Sequence, residues 1–264
     1  MSLPDLDPPC VWTSIRETAL AQVESEPTLA SFLHATILNH EHFADAVSYH
    51  LAGKLGSPSL PAMHIRETID AAMAADPNIE TSIRNDIRAV RQRDPAISCC
   101  LVPLLYSKGL FSLISYRVAH WLWNQDRTML ALHLQNAMTE RFSVDIHPAA
   151  KIGRGVLIDH ATSVVIGETA VVEDEVSMLH EVTLGGNGKE SGDRHPKVRR
   201  GVLIGAGAKI LGNVEIGECA KIGAGSVVLT DVPGRSTFAG VPAVMVGQQT
   251  FDLPSLEMNH GIDI

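Results

Sequence analysis

An aliphatic side chain returns every six positions through the second half of this 264-residue chain, and few folds tolerate that period. The anchors are Ile146, Ile152 and Ile158, then Ile166, Val172, Met178 and Leu184, and finally Val198, Ile204, Ile210, Ile216, Ile222 and Val228. Small or β-branched residues follow four places behind many of them: Ala150, Val156, Thr162, Ala170, Val176, Val182, Ala208, Val214, Ala220 and Ser226. Six is neither the strand period of two nor the helical 3.6. A short strand closed by a tight turn explains it, and three such units make one coil of a parallel β-helix whose anchors stack inward. Gly153, Gly167, Gly205, Gly217 and Gly223 directly follow anchors, where a missing side chain lets backbone pass close to backbone. The repeat specifies a scaffold and leaves activity open, since solenoids also serve as binding modules.

The first part of the chain follows a different grammar, up to about residue 142. Val11, Ile15 and Ala19 share a helical face, as do Leu29, Phe32, Leu33 and Ile37. Asp76-Pro77 and Asp94-Pro95 read as helix starts, with aspartate as cap and proline in the first turn. The stretch Phe111 to Arg141 carries enough spaced apolar residues for one long or bent helix, and Gly56 to Pro61 reads as a break. The expected division is therefore 1–142 helical, 143–247 β-helix, and a polar, acidic, flexible tail over 248–264.

Composition narrows the functional classes. A formal charge of −9 without a long basic tract argues against nucleic acid as partner, since phosphate binding needs concentrated positive charge. The four cysteines, Cys10, Cys99, Cys100 and Cys219, form neither metal-ligand pairs nor a disulfide framework. No metal site is expected. The amino terminus lacks a basic-then-apolar leader pattern, and no apolar run reaches membrane-spanning length, so a cytoplasmic protein with no membrane partner is expected.

Two interruptions of the repeat draw attention. The phase slips by two residues between Ile158 and Ile166, beside Asp159-His160, and it breaks again where GGNGKESGDRHPK (185–197) leaves the coil. A polar, glycine-rich excursion from a rigid support is a natural active-site loop. Asp145-Ile-His147 and Asp159-His160 set carboxylates beside imidazoles, which suits removal of a proton from an alcohol. The residues alone do not choose between His147 and His160 as the base. His195 and Arg194 sit in the excursion, and Arg194 has the fork that binds a small carboxylate. Asp94 or Asp159 could complement an ammonium group, although Asp94 is equally explained as a helix cap. The late glycine-rich coils around Lys209 and Lys221 expose backbone on which a long thioester cosubstrate could lie.

These features extend to a specific resemblance. DPA at Asp94–Ala96, HWLWNQ at His120–Gln125, VDIHPAAKIGRG at Val144–Gly155 and DHAT at Asp159–Thr162 resemble the bacterial serine O-acetyltransferases. So do GETAV at Gly167–Val171, VTLGG at Val182–Gly186, DRHPK at Asp193–Lys197, IGAGAKILGN at Ile204–Asn213 and AGVPA at Ala239–Ala243. The resemblance spans residues 10–247. It implies an α+β chain, an all-α amino-terminal domain followed by a left-handed parallel β-helix. The implied reaction moves acetyl from acetyl-CoA, a cosubstrate rather than a tightly bound cofactor, to the hydroxyl of L-serine, giving O-acetylserine for cysteine biosynthesis.

By the same resemblance His160 is the general base, Asp145 its orienting carboxylate and His195 a second active-site histidine near the acceptor pocket. Asp94 and Asp159 receive the serine ammonium, and Arg194 binds its carboxylate. Gly186, Ala206 and Lys221 lie along the CoA arm. The assembly implied is a hexamer of two trimers, with L-cysteine as feedback inhibitor and the terminal Ile264 docking into O-acetylserine sulfhydrylase. Another small amino acid or alcohol as acceptor, or a solenoid without turnover, are the competing readings. Ser163 after DHAT, the loop residues Asn187, Glu190 and Ser191, and the Cys99-Cys100 pair depart from the family pattern.

Overall fold

A computed structural model describes residues 10–188, 191–249 and 252–262. Ile264, expected to meet a partner enzyme, and Glu190 of the loop lie outside them.

The helical part begins with α1 (Cys10–Ser25), whose Val11, Ile15 and Ala19 are all buried. A short broken segment follows: a 3-10 turn at Pro27–Leu29, α2 (Ala30–Leu33), and a π-turn at His34–Leu38. Then come α3 (Phe43–Leu55), α4 (Ala62–Ala75) and α5 (Pro77–Arg93). Asp76 caps α5 as expected, its Oδ1 accepting the Asn78 N–H at 3.0 Å. Asp94 does not start a helix. It ends α5, and its Oδ1 turns to accept the Ala96 N–H at 2.9 Å, an Asx turn that offers the same Asp-Pro signal without a helix. The next helix, α6 (Leu101–Tyr106), begins five residues beyond Ala96. The single long helix expected over Phe111–Arg141 is two, α7 (Lys108–Asn124) and α8 (Thr128–Phe142), with Asp126 at φ 58° in the turn between.

From Val144 the chain winds as a left-handed parallel β-helix. The first coil is β1 (Val144–Ile146), β2 (Lys151–Ile152) and β3 (Leu157–Ile158). The second is β4 (Val164–Ile166), β5 (Val171–Val172) and β6 (Ser177–Met178). The third is β7 (Thr183–Gly185), β8 (Lys197–Val198) and β9 (Leu203–Ile204), and the fourth β10 (Lys209–Leu211), β11 (Glu215–Ile216) and β12 (Lys221–Ile222). Then β13 (Val227–Val228) precedes a hairpin of β14 (Ser236–Gly240) and β15 (Ala243–Gln248). Three sheets result: a first face β1-β4-β7-β10-β13, a second β2-β5-β8-β11, and a third β3-β6-β9-β12-β14-β15.

Register shows how the anchors stack. Ile146 lies on Ile166, Ile166 on Leu184, and Leu184 on Ile210, which lies on Val228. All five are buried, and full burial of each such side chain stabilises by about 1.5–3 kcal/mol. Gly205 explains the glycine after an anchor: a β carbon there would stand 2.5 Å from the backbone nitrogen of Ala224 on the next coil. One inward position was misphased by the sequence pattern. Thr162 is exposed and Ala161 is buried, because the two-residue slip rotates the chain at this corner.

The helices are locked onto the coils by polar contacts. Arg117 of α7 donates to Asp86 of α5 at 2.6 Å and to the Gly153 carbonyl at 2.7 Å, and the Val156 N–H donates to Asp86 Oδ1 at 3.0 Å. Tyr116 OH donates to the Ala150 carbonyl at 2.6 Å. Over 252–262 the tail runs along the third face, where α9 (Pro254–Glu257) brings the Ser255 carbonyl to Ser177 Oγ at 2.8 Å. No helix among the described residues is long and apolar enough to cross a membrane.

Candidate active site

Both interruptions of the repeat fall at corners of the prism, and both corners border the first face. At one, the third face turns into the first, and Ile158 stacks on Met178 twenty residues later instead of the usual eighteen. At the other, the first face turns into the second, and Val172 stacks on Val198 twenty-six residues later. His160 lies at the first of these corners, and Arg194 and His195 lie at the second.

The shorter insertion makes the His160 corner. His160, Ala161 and Ser163 all take φ between 55° and 63°, a left-handed run unusual outside glycine. It is held by Ser163 N–H donating to the Ser143 carbonyl at 2.7 Å and Thr162 N–H to the His160 carbonyl at 2.8 Å. The His160 side chain is 74% exposed, so its ring is open to a substrate, with Nε2 3.7 Å from Asp159 Oδ2. A cleft of about 360 Å³ lies between this corner and the helices, lined by Asp94, Tyr106, Lys108, Asp159, His160 and Thr162. Three expected site residues, Asp94, Asp159 and His160, thus converge although Asp94 comes from the far end of α5. His180, one coil below, meets the His160 ring edge-on at 5.8 Å.

The longer insertion makes the His195 corner. His195 is 7% exposed, packed on Gly167, where a β carbon would lie 2.1 Å from ring atoms Cδ2 and Nε2. Glycine is required there for room, not for φ. The Thr169 N–H donates to His195 Nδ1 at 3.2 Å. That contact assigns Nδ1 as acceptor, so the neutral ring carries its proton on Nε2 and presents a donor there. Thr169 Oγ1 in turn accepts the backbone N–H groups of Arg194 at 3.0 Å and His195 at 3.1 Å. Burial, and then the Arg194 charge, push the His195 pKa below the ordinary histidine value, and burial does the same to His147. Arg194 donates to Glu168 Oε2 at 2.7 Å, a bond that lowers the Glu168 pKa. Lys197 closes the loop, its ammonium donating to Asp193 at 2.6 Å and to the carbonyls of Thr169 and His195.

The expected residues therefore separate into two groups within one chain. Asp145, on the first face, accepts from Gln135 at 2.6 Å; no bond from Asp145 to His160 occurs among the described residues. Gly186 lies against Arg194 at the His195 corner, whereas Ala206 lies on the same edge as His160 but two coils on, and Lys221 lies on the third face. The Lys221 ammonium donates to the Gly261 carbonyl of the tail. Thr169, Glu168 and Lys108 carry bonds at the site that residue type alone did not reveal. GETAV was legible as a motif, but Thr169 meets His195 only through coil register.

Comparison with known proteins agrees with this architecture. Residues 11–115 match the pattern for the serine acetyltransferase amino-terminal region, and 195–230 match the bacterial transferase hexapeptide pattern of six repeats. A serine acetyltransferase of Salmonella typhimurium is 59% identical over 250 residues, covering 95% of this chain and 92% of that one. A solved serine acetyltransferase in complex with cysteine superposes with a TM-score of 0.95 at 55% identity, covering 97% of this chain and 99% of the other. The serine acetyltransferase of Brucella abortus in complex with coenzyme A gives 0.90 at 51% identity, over 94% and 99% of the two chains. Identity at this level over nearly the whole length, with both patterns in order along one chain, means that this protein belongs to the serine acetyltransferase family.

Proposed function

We propose that the chain transfers acetyl from acetyl-CoA to the serine hydroxyl in a groove shared by two copies of itself. His160 takes the hydroxyl proton as serine Oγ attacks the thioester carbonyl. The tetrahedral intermediate collapses with cleavage of the C–S bond, and the imidazolium returns the proton to the leaving thiolate, so O-acetylserine and CoA form with no acyl-enzyme. Asp94 and Asp159 receive the serine ammonium beside His160. Arg194 grips the carboxylate with a charge-assisted fork, and the Nε2–H of His195 donates to the same end of the substrate. Asp145, Arg194 and His195 are supplied by the adjacent copy, Asp145 orienting the His160 ring.

The observation that carries this reading is the separation of the site over two corners on opposite edges of one face. A single chain carries the two halves on opposite edges of one face, and a ring of coils would join each His160 corner to a neighbour's His195 corner. Val165 and Leu229, 38% and 53% exposed at or beside the first face, give that association an apolar component. A trimer of coils is the simplest closed form, with helical domains pairing two trimers into a hexamer.

The CoA arm then passes Gly186 of one copy and Ala206 and Lys221 of the next. L-cysteine, which differs from serine by one atom, is expected to compete for the acceptor pocket. A cytoplasmic setting, and docking of the tail at Ile264 into O-acetylserine sulfhydrylase, belong to the same reading.

The test is complementation between inactive partners. H160A and R194A, each purified alone, should lose most release of free CoA from acetyl-CoA and L-serine, H160A by about 10²–10⁴-fold. Co-expressed, they should form mixed assemblies in which some grooves combine the intact His160 of one copy with the intact Arg194 of another, and turnover should return. Mixed assemblies as inactive as their parents would sink the shared groove, and turnover surviving in H160A would remove His160 as base.

A further inference from the structure

The amino-terminal turn of α7 breaks two local rules at once. Lys108 is its first residue, a cation at the helix end where the aligned peptide dipoles disfavour positive charge, and no acidic residue in the first turn offsets it. Gly109 follows, a residue that weakens a helix by about 1 kcal/mol relative to alanine. Neither choice serves the helix. Both serve the His160 corner.

Gly109 is buried directly on the carbonyl of Ile158, where a β carbon would stand 1.9 Å from the oxygen, so the α7 backbone is seated on the strand that leads into Asp159-His160. From that seat Lys108 Nζ donates to Thr162 Oγ1 at 2.5 Å. The Thr162 hydroxyl faces the His160 carbonyl at a long 3.5 Å, and the Thr162 N–H donates to that same carbonyl at 2.8 Å. The bonds therefore run from α7 through Thr162 to the backbone of His160 itself. The segment they hold includes three non-glycine residues in left-handed conformation, a geometry that persists only when surrounding contacts enforce it. Lys108 and Thr162 are both exposed, and an exposed bond contributes little to global stability. Its consequence lies in where the ring points.

We propose that Lys108, through Thr162, is a positioning residue that sets the backbone of His160 and hence the aim of its imidazole at the serine hydroxyl. The inference rests on His160 being the base. Near-attack alignment is lost with displacements of about 1 Å at a cost of up to about 10²-fold in rate, so a corner freed to relax should lower kcat while leaving substrate capture intact.

The experiment measures CoA release by the full-length assembled enzyme for T162V, T162S, K108M, the K108M/T162V double variant and H160A. T162V keeps the shape of the side chain and removes the acceptor oxygen. It should lower kcat about tenfold with unchanged KM for serine and acetyl-CoA and an unchanged melting temperature. T162S, which restores the oxygen, should recover most of that loss, a rescue that a merely structural role for the side chain would not require. K108M should fall comparably, and the double variant no further than the lower single, because both remove the Lys108–Thr162 bond.

Wild-type kcat in T162V, additive losses in the double variant, or loss in K108M without loss in T162V would overturn the proposal. The last result would mean that the ammonium acts on the substrate directly. Should K108M fail to assemble, the T162V and T162S pair decides alone. H160A separates the two levels: turnover surviving there refutes the base, whereas loss in H160A with none in T162V refutes only the positioning.

Discussion

The two corners bordering the first face each carry a histidine, and they hold it in opposite ways. His160 stands 74% exposed on a two-residue insertion, with its ring near one carboxylate and open to the cleft. His195 is 7% exposed on an eight-residue insertion, seated on a glycine, bonded at Nδ1 and pressed toward neutrality by burial. A base must meet a substrate proton and change charge during each turnover, so access and nearby polar groups suit it. A recognition donor must keep one tautomer and one direction, so enclosure suits it. One scaffold can offer both settings because a β-helix corner can be extended without disturbing the anchors on either side.

The sharpest way to break this contrast is to crowd the enclosed corner. Gly167→Ala introduces a β carbon 2.1 Å from the His195 ring, and the ring must leave its seat. The expected outcome is a loss of about 10²-fold in kcat/KM for serine, with KM for acetyl-CoA little changed. Steady-state kinetics with each substrate varied in turn would check it, and a wild-type response to serine would show that His195 is not held for recognition. A smaller loss is expected from Thr169→Val. It leaves the amides of Arg194 and His195 without their acceptor, a penalty of about 1–3 kcal/mol for each buried donor, softened where the loop opens to water. About tenfold in kcat/KM for serine is expected, and Thr169→Ser should recover it.

How much of this was legible depended on the range of the contact. The coils were readable because the inward anchors keep a six-residue period outside the two interruptions, so Ile166 stacks on Leu184, Ile204 on Ile222 and Ile210 on Val228, each eighteen residues on. Thr162 was misphased because a two-residue slip leaves no local mark of where the chain turns over. The break between α7 and α8 carries neither proline nor glycine, only Asp126 in a left-handed turn, so apolar spacing read through it. Asp94 was ambiguous since an aspartate before proline suits an Asx turn as well as a cap. At the site, adjacency in sequence picked out Asp159-His160 and Arg194-His195. Motif resemblance, not chemistry, assigned their roles. Thr169 and Lys108 escaped because their partners lie 26 and 54 residues away and meet them only in the fold.

The smallest expected effect concerns acid, and it distinguishes the corners without any mutation. His147 and His195 have pKa values lowered by burial, so the unfolded chain takes up protons near the ordinary value of about 6.5 while the folded corner resists them. Where the unfolded state binds more protons, stability rises with pH. The contribution of these two rings is therefore complete above about pH 6.5 and is lost as pH falls from there toward their lowered folded values. Protonation of His195 at Nδ1 would also face the Thr169 N–H with a second donor, so local opening of this corner should come with it. Hydrogen exchange, corrected for its intrinsic pH dependence, should show the Thr169, Arg194 and His195 amides losing protection between pH 7 and about 5.5. The Ser163 amide, bonded to the Ser143 carbonyl at the other corner, should hold its protection over the same range. Glu168→Gln should steepen the loss, because the Glu168 carboxylate raises both histidine pKa values and its removal lowers them further. Equal loss at the two corners would mean that burial of His195 does not govern its loop, and the contrast between an open and an enclosed histidine would rest on exposure alone.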